Sequence, residues 1–409
     1  MRPRRVVITG IGAVTPVGHG RDGLWRGVRQ GRPAVRRITR FDPSPFASQV
    51  AAQIDDFDPL DYLDRRQARR LDRFSQLSLA AARQAVEDAR LEPPSEAGVY
   101  LGSALGGVAY GEEQHGLYLE RGVRGVSPML ALAVFAGAGA ANVAMELGLR
   151  GPALANANSC AAGVVAVGEA FRLIRWGGAE VVLAGGAEAP LAPLTFGAFS
   201  IIRAMSTRND DPATASRPFD ADRDGFVMAE GAAVLVLEEA GHAARRGAAA
   251  YAEVLGYGHT NDAHHMTAPL PTGEAAARAI GLALAEAGQP PEAVEYVNAH
   301  GSATPLNDAT ETLALKRALG AHAPHVPVSG TKGLHGHALG ATGAVETAVT
   351  ALALAHGWLP PTTNLFRPDP ACDLDHVRGE GRRARPRYAL KNAFGFGGIN
   401  AALVLGAVE

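Results

Sequence analysis

Short runs of aliphatic and β-branched residues punctuate the chain at "RRVVITG", "AGVYLGSA", "AEVVLAGGAEA", "AAVLVLEEA", "AEVLGYG", "VEYVNAHG", "HVPVSGTKG" and "AALVLGAV". Each is bounded by glycine or polar residues, the pattern of buried strands. Between several of them apolar residues recur at three- and four-residue steps. Over 69–91 the series Leu71, Phe74, Leu77, Ala81, Ala85, Ala89 predicts a helix. Residues 272–288 predict another, with Thr272 as its cap and Gly288 as its stop. Strands alternating with helices predict the α/β class. The uncharged stretch "MLALAVFAGAGAANVAM" (129–145) is too short to span a membrane and reads as a buried helix at a subunit interface. No repeat shows at the level of residues.

A chain of 409 residues exceeds what one hydrophobic core fills, which predicts two domains or two fused halves. The seam is expected within 238–258, dividing the chain into 1–250 and 251–409. Apolar residues make up 47% of the chain and charged residues 20%, as in a soluble protein with a large core. Net charge is −2, from 39 basic and 41 acidic residues, which gives no support to nucleic-acid binding. Two cysteines argue against a disulfide framework and fit a reducing cytoplasm. At the N-terminus, "MRPRRVVITGIGAVTPVG" is broken by Gly and Pro too early for a signal peptide and reads as a first strand and glycine turn.

Candidate chemistry concentrates in four places. Cys160, in "NANSCAAGVVAVGEA", follows a polar turn and opens a helix, where unsatisfied N–H groups favour a thiolate. Gly163 and the neighbouring alanines leave room for a substrate. His300, in "VNAHGSATPLND", follows a strand and precedes a glycine loop, where α/β folds place catalytic groups. "SGTKGLHGHALGATGAVE" carries Lys332, His335 and His337 in a glycine-rich turn without the order of a phosphate-binding loop. In "NAFGFGGINAALVLG" a Gly-Phe-Gly-Gly turn offers backbone N–H groups as oxyanion donors. Each also has a plainer reading: a core cysteine, a satisfied histidine, an aromatic-anchored hairpin. His300, His335 and His337 are in addition the donors a zinc hydrolase would need, although no supporting pattern surrounds them.

Taken together the motifs resemble the β-ketoacyl-acyl carrier protein synthases, most closely the synthase II type. The resemblance runs almost end to end, through "VVITGIGAVTPVG", "ELGLRGP", "RAMSTRNDDPATASRPFDADRDGFVMAEGAAVLVLEE", "DAHHMTAP", "NAHGSATPLND", "TKGLHGHALGATGAVE" and "NAFGFGGIN". It implies a thiolase-like five-layer α-β-α-β-α fold built from two fused similar halves. It also implies an acyltransferase that joins malonyl-carrier protein, with loss of CO₂, to an acyl group held on a cysteine. Carried over by motif, the catalytic residues are Cys160, His300, His337 and Lys332, with Glu346 ordering the loop. Phe396 is the gate, and its N–H with that of Cys160 is the oxyanion hole. Leu105, Phe199 and Ile202 fall at the acyl pocket, and Arg66, Arg69, Arg70 and Arg203 at the docking surface for an acidic acyl carrier protein.

The resemblance implies no metal and no dissociable cofactor, since substrates arrive on the phosphopantetheine arm of the carrier protein. The expected assembly is a cytoplasmic homodimer, or a heterodimer with a cysteine-less, chain-length-factor-like homologue in a polyketide or polyene pathway. Ser159, Ile399, Ile201, Ile202 and the segment 129–139 depart from the family's usual residues. A degradative thiolase would need a second cysteine in the C-terminal glycine loop. Cys372 instead sits in "DPACDLDH", which reads as a surface turn.

Overall fold

The computed structural model describes residues 3–408. In the first part of the chain the principal strands are β1 (Val6–Thr15), β2 (Gly98–Gly102), β3 (Ala153–Asn156), β4 (Val181–Glu188) and β5 (Gly231–Glu239). In the second they are β6 (Ala252–Asn261), β7 (Tyr296–Asn298), β8 (Pro327–Ser329), β9 (Tyr388–Gly395) and β10 (Ile399–Gly406). The first set is ordered β1-β5-β4-β2-β3 and the second β6-β10-β9-β7-β8. In both, the first two neighbour pairs are antiparallel and the last two parallel. The two parts of the chain are thus topological copies, a repeat the residues themselves do not display. They join where Val6, Val7 and Ile8 of β1 pair with Val254, Glu253 and Ala252 of β6.

The helices fall at matching points: α1 (Arg73–Asp88), α2 (Val108–Arg121) and α3 (Ala162–Arg175) in the first half, α4 (Glu274–Ala287), α5 (Pro305–Leu319) and α6 (Leu339–His356) in the second. α1 covers the outer face of the first strand set, and α4 with α5 that of the second. α3 and α6 lie between the two sets and share one core. The result is the five-layer α-β-α-β-α arrangement. A middle-layer helix has no solvent face, and α6 accordingly is buried from Leu339 to Leu354.

Where α3 and α6 cross, a Cβ added to Gly163 would fall 2.6 Å from the Ala344 nitrogen, and one added to Gly343 2.8 Å from the Val164 nitrogen. Glycine is needed at both positions for backbone to approach backbone. The space beside Gly163 is therefore filled by α6 and does not receive substrate.

Several local expectations are corrected. The first helix begins at Arg73, because Asp72 caps it by accepting from Phe74 N (3.1 Å) and Ser75 N (3.3 Å). α4 is capped by the left-handed Gly273 and not by Thr272, while Gly288 does end it. The stretch 129–145 forms two short helices, Leu130–Ala133 and Ala138–Leu147. Only the face with Ala138, Ala140 and Val143 packs against the α1 side of the core, while Leu132 and Met145 are 60% and 72% exposed. Cys372 is buried in the outer C-terminal core and not on the surface. Among the described residues no helix is long and apolar enough to cross a membrane.

Candidate active site

Cys160 sits in a tight 3₁₀ turn, Ser159–Ala161, between the end of β3 and the start of α3. Asn156 secures the turn by donating from Nδ2 to Ala162 O (3.1 Å). Ser159 takes φ 50°, a left-handed conformation that costs a non-glycine residue about 1–2 kcal/mol. The Ser159 hydroxyl donates to the Cys160 sulfur across 3.8 Å, and the Phe396 backbone N–H also donates towards it. Burial outweighs both donors and pushes the thiol up to about 11. The helix start therefore does not produce a resting thiolate, as the sequence had suggested.

The two histidines come from the other half. His300 follows β7, and its turn is pinned by Glu311 of α5, which accepts from His300 N (2.7 Å) and Gly301 N (2.8 Å). His337 precedes α6, and its main chain is stitched to the first half: His337 N donates to Val227 O (2.8 Å) and Ala229 N to His337 O (3.0 Å). Its Nδ1 lies 3.0 Å from the Thr342 hydroxyl, which leaves Nε2 for a ligand. The two imidazoles are 5.4 Å apart, centre to centre, with planes at 80°. Burial, reinforced by the Lys332 and Lys391 charges, pushes both well below 6.5, so both are neutral near pH 7.

Beneath them lies a buried ionic cluster. Lys332 Nζ donates to Glu346 Oε1 (2.8 Å) and also to His300 O. Lys391 Nζ lies 2.8 Å from Glu346 Oε2, a close ion contact rather than an aligned hydrogen bond. Burial alone would raise the Glu346 carboxyl, but the two ammonium groups prevail and hold it below the ordinary value.

Phe396 opens the turn between β9 and β10, closed by Gly397 (φ 85°) and Gly398 (φ 72°). Gly397 N donates to Met266 O (2.7 Å), and Asn400 Nδ2 to Asp262 Oδ1 (2.7 Å), which fastens this turn to the segment after β6. The Phe396 ring stacks on Phe199 at 6.3 Å. A Cβ on Gly395 would stand 3.1 Å from Cys160 N, a tight contact that glycine avoids where the two turns meet.

Cys160, His300, His337 and Phe396 line one cavity of about 270 Å³, together with Phe199, Ile202 and Arg203. Leu105 does not line it but packs in the same apolar cluster as Cys160 and Phe199. Lys332 and Glu346 lie fully buried behind it. Arg66, within the short helix Arg65–Ala68, and Arg69 and Arg70, just after it, are exposed on the surface, and Arg203 is exposed at the cavity. A larger, open cleft of about 870 Å³, lined by Arg40, Asp72, Arg73 and Glu112, contains none of the candidate catalytic groups.

His335 is turned to structure: its Nδ1 meets Gly336 O (2.8 Å) and its Nε2 the Thr331 hydroxyl (3.1 Å). Among the described residues no cluster of three or more His, Cys, Asp or Glu is arranged to hold a metal ion, so the zinc-hydrolase alternative has no donor set. Three buried groups escaped the sequence reading: Glu311, Lys391 and Glu188. Glu188, pushed up to about 7 by burial, accepts from Ala104 N (2.7 Å), Leu105 N (3.1 Å) and Gly340 N (3.0 Å), tying the Leu105 turn to α6. For Lys391 and Glu188 the signal was an ionisable residue inside or at the end of an otherwise apolar strand, whereas Glu311 sits in a mixed helix that gave no such signal.

Residues 3–243 match the family "Beta-ketoacyl synthase, N-terminal domain", and residues 251–366 match "Beta-ketoacyl synthase, C-terminal domain". The chain is 46% identical over 407 residues to the 3-oxoacyl-[acyl-carrier-protein] synthase 2 of a Synechocystis species, covering 98% of each chain. Its fold is similar to the ishigamide ketosynthase/chain length factor, with TM-score 0.93 and 35% identity over the whole of both chains. It is also similar to a structure of a type II polyketide synthase acyl-carrier protein in complex with its ketosynthase, with TM-score 0.91 and 34% identity, again over both whole chains.

Proposed function

This chain belongs to the β-ketoacyl synthase family, and on that premise we propose that it is an elongating β-ketoacyl-acyl carrier protein synthase whose site residues act as follows. In the first half-reaction the Cys160 sulfur attacks the carbonyl of an acyl thioester. The thiol proton passes to His300 in its Nδ1–H tautomer as the C–S bond forms, and on to the departing pantetheine sulfur, after which His300 takes up its Nε2–H tautomer for the second half-reaction. The N–H groups of Cys160 and Phe396 receive the tetrahedral oxyanion.

In the second half-reaction a malonyl thioester takes the place of the first arm. Its Cα–carboxylate bond breaks and CO₂ leaves. The electron pair passes into an enolate whose oxygen is held by the Nε2–H groups of His300 and His337. The enolate carbon then attacks the acyl-cysteine carbonyl, the C–S bond breaks, and the sulfur regains a proton. Lys332 and Glu346 order the His300 and His337 turns and do not react. No step needs a metal or a dissociable cofactor.

The observation that carries this reading is the meeting, in one cavity, of a buried thiol from residues 1–250 and two neutral imidazoles from 251–409. Phe199 and Ile202 form the acyl pocket, with Leu105 behind them, and Phe396 gates it. Arg66, Arg69, Arg70 and Arg203 receive the acidic carrier protein. Two free thiols fit a cytoplasmic enzyme.

A dimer is part of the proposal. Leu119, Val123, Leu132, Phe135 and Met145 are exposed, and β3 is a sheet edge with exposed side chains. Such an edge calls for a partner strand. The partner is a second copy or a chain-length-factor-like homologue, and native mass spectrometry of co-expressed candidates distinguishes the two. The catalytic test supplies medium-chain acyl and malonyl groups on carrier protein. A β-ketoacyl product two carbons longer, with one CO₂ per condensation, is expected. Absence of any condensed product across a range of acyl chains overturns the reading.

A further inference from the structure

Lys391 lies in the middle of β9, directly beside Asn298 of β7 in the parallel pairing, two residues before His300. It is fully buried. Its ammonium is 2.8 Å from Glu346 Oε2, donates to Asn392 O, and stands 3.5 Å from Ala299 O. It therefore touches both the strand end that presents His300 and the helix that follows His337. A lysine in the interior of a buried strand has no solvent to reach, and such a charge persists only where paired.

The two ammonium groups share one carboxylate. Lys332 takes Oε1 and Lys391 takes Oε2, so the cluster carries one positive charge more than it neutralises. We propose that Lys391 is a positioning residue for the condensation: with Lys332 it clamps Glu346 and ties the strand end that presents His300 to the helix that follows His337. Its charge adds to burial in disfavouring an imidazolium at His300 and His337. This rests on the function proposed above.

Charged and titratable groups approach the imidazoles from several elements, and Arg203 and Asp262 line the same cavity. From the loop before α6 come Lys332 and His335, and from α6 itself Glu346. α5 contributes Glu311, whose carboxyl is raised by burial and whose oxygens are taken by the His300 and Gly301 amides. The first half contributes Cys160, a neutral thiol, and Glu188, which is raised to about 7. Lys332 and Lys391 are the cations acting on both rings, and each disfavours an imidazolium. Burial lowers the Lys391 ammonium to about 8, with Glu346 opposing, so it stays charged on the acid side where the rings would protonate. Removing it makes an imidazolium easier to form, which raises the imidazole pKa.

A neutral imidazole is the proton acceptor for the Cys160 thiol, so the acid limb of Cys160 acylation reports this charge. The experiment follows acylation of Cys160 by an acyl-carrier protein, by intact mass, from pH 5 to 9. It compares the full-length wild type with Lys391→Met, Lys391→Gln and Lys391→Arg. The wild type is expected to show no acid limb above pH 5, and the neutral variants to bring one into the range, with a loss of up to roughly tenfold in rate at pH 5. The Arg variant, which keeps the charge, is expected to hold the wild-type profile. A wild type that is never acylated overturns the function itself. An acylated wild type with the same profile in every variant, or a uniform loss at all pH values, overturns only the role of Lys391. If the neutral variants fail to fold, histidine-labelled wild type titrated by NMR through pH 7–9 decides, since the Lys391 ammonium loses its proton at about 8: a step near 8 in the His300 and His337 signals supports the proposal, and its absence refutes it.

Discussion

The two halves repeat one topology and diverge at the same three connections. After the third strand of the first half, β3, the chain turns at 157–161 and enters α3 with Cys160 at the turn. After the third strand of the second half, β8, it passes through 330–338 and enters α6, carrying Lys332, His335 and His337. After the second strands, β2 presents the Leu105 turn and β7 the His300 turn. Between the last two strands the first half runs through 189–230, whereas the second closes at once through Phe396, Gly397 and Gly398. Equivalent loops thus hold the proposed nucleophile Cys160 and the Leu105 turn on one side, imidazoles and a buried charge cluster on the other. The lesson is that a duplicated scaffold can place different chemical groups on equivalent loops. The crossing of α3 and α6 then brings Cys160 and the imidazoles within one cavity.

The largest expected effect comes from that crossing. Gly163→Val and Gly343→Val each force backbone apart in a packed middle layer, which costs about 1–3 kcal/mol or more. Both should lower the melting temperature and loosen coupling of acylation to condensation. Unchanged melting in both variants would show that the helices do not set the distance between halves.

A smaller effect sharpens the outer surface of the comparison. Arg69→Glu with Arg70→Glu should raise KM for carrier-protein substrates and leave acyl-pantetheine substrates as before. Exposed pairs contribute about 0.2–1 kcal/mol each, so the double change is the useful one. Equal harm to both substrate types would contradict a docking role.

The smallest effect concerns the one connection that is short in the second half. Phe396→Ala removes the ring stacked on Phe199 and should raise malonyl decarboxylation without an acyl primer, relative to condensation, by a few-fold. An unchanged ratio with a lowered melting point would make Phe396 a static anchor.

Much of this was legible in the residues. Strands read as aliphatic runs were found where those runs are, and the motif turns carrying Cys160, His300, His337 and Phe396 do converge on one cavity. β9 was not read, because Lys391 and Asn392 interrupt its apolar run, and only the Glu346 carboxylate from a distant helix explains a lysine there. β3 was missed because it is a short edge with exposed side chains. The segment 129–145 misled because its alanines and glycines pack on one face only. Helix-start stabilisation of Cys160 was a local argument, and the desolvation that defeats it is a property of the packed whole.

The proposed assignment of Cys160 to acylation and His337 to decarboxylation is tested most directly by crossing two variants with two half-reactions. Cys160→Ala, His337→Ala and wild type are each assayed for acylation at residue 160 by intact mass and for CO₂ release from malonyl-carrier protein. Cys160→Ala should take no acyl group yet retain malonyl decarboxylation. His337→Ala should still be acylated while decarboxylation falls about a hundredfold or more, the usual cost of losing one oxyanion donor. Parallel loss of both half-reactions in both variants would contradict the account.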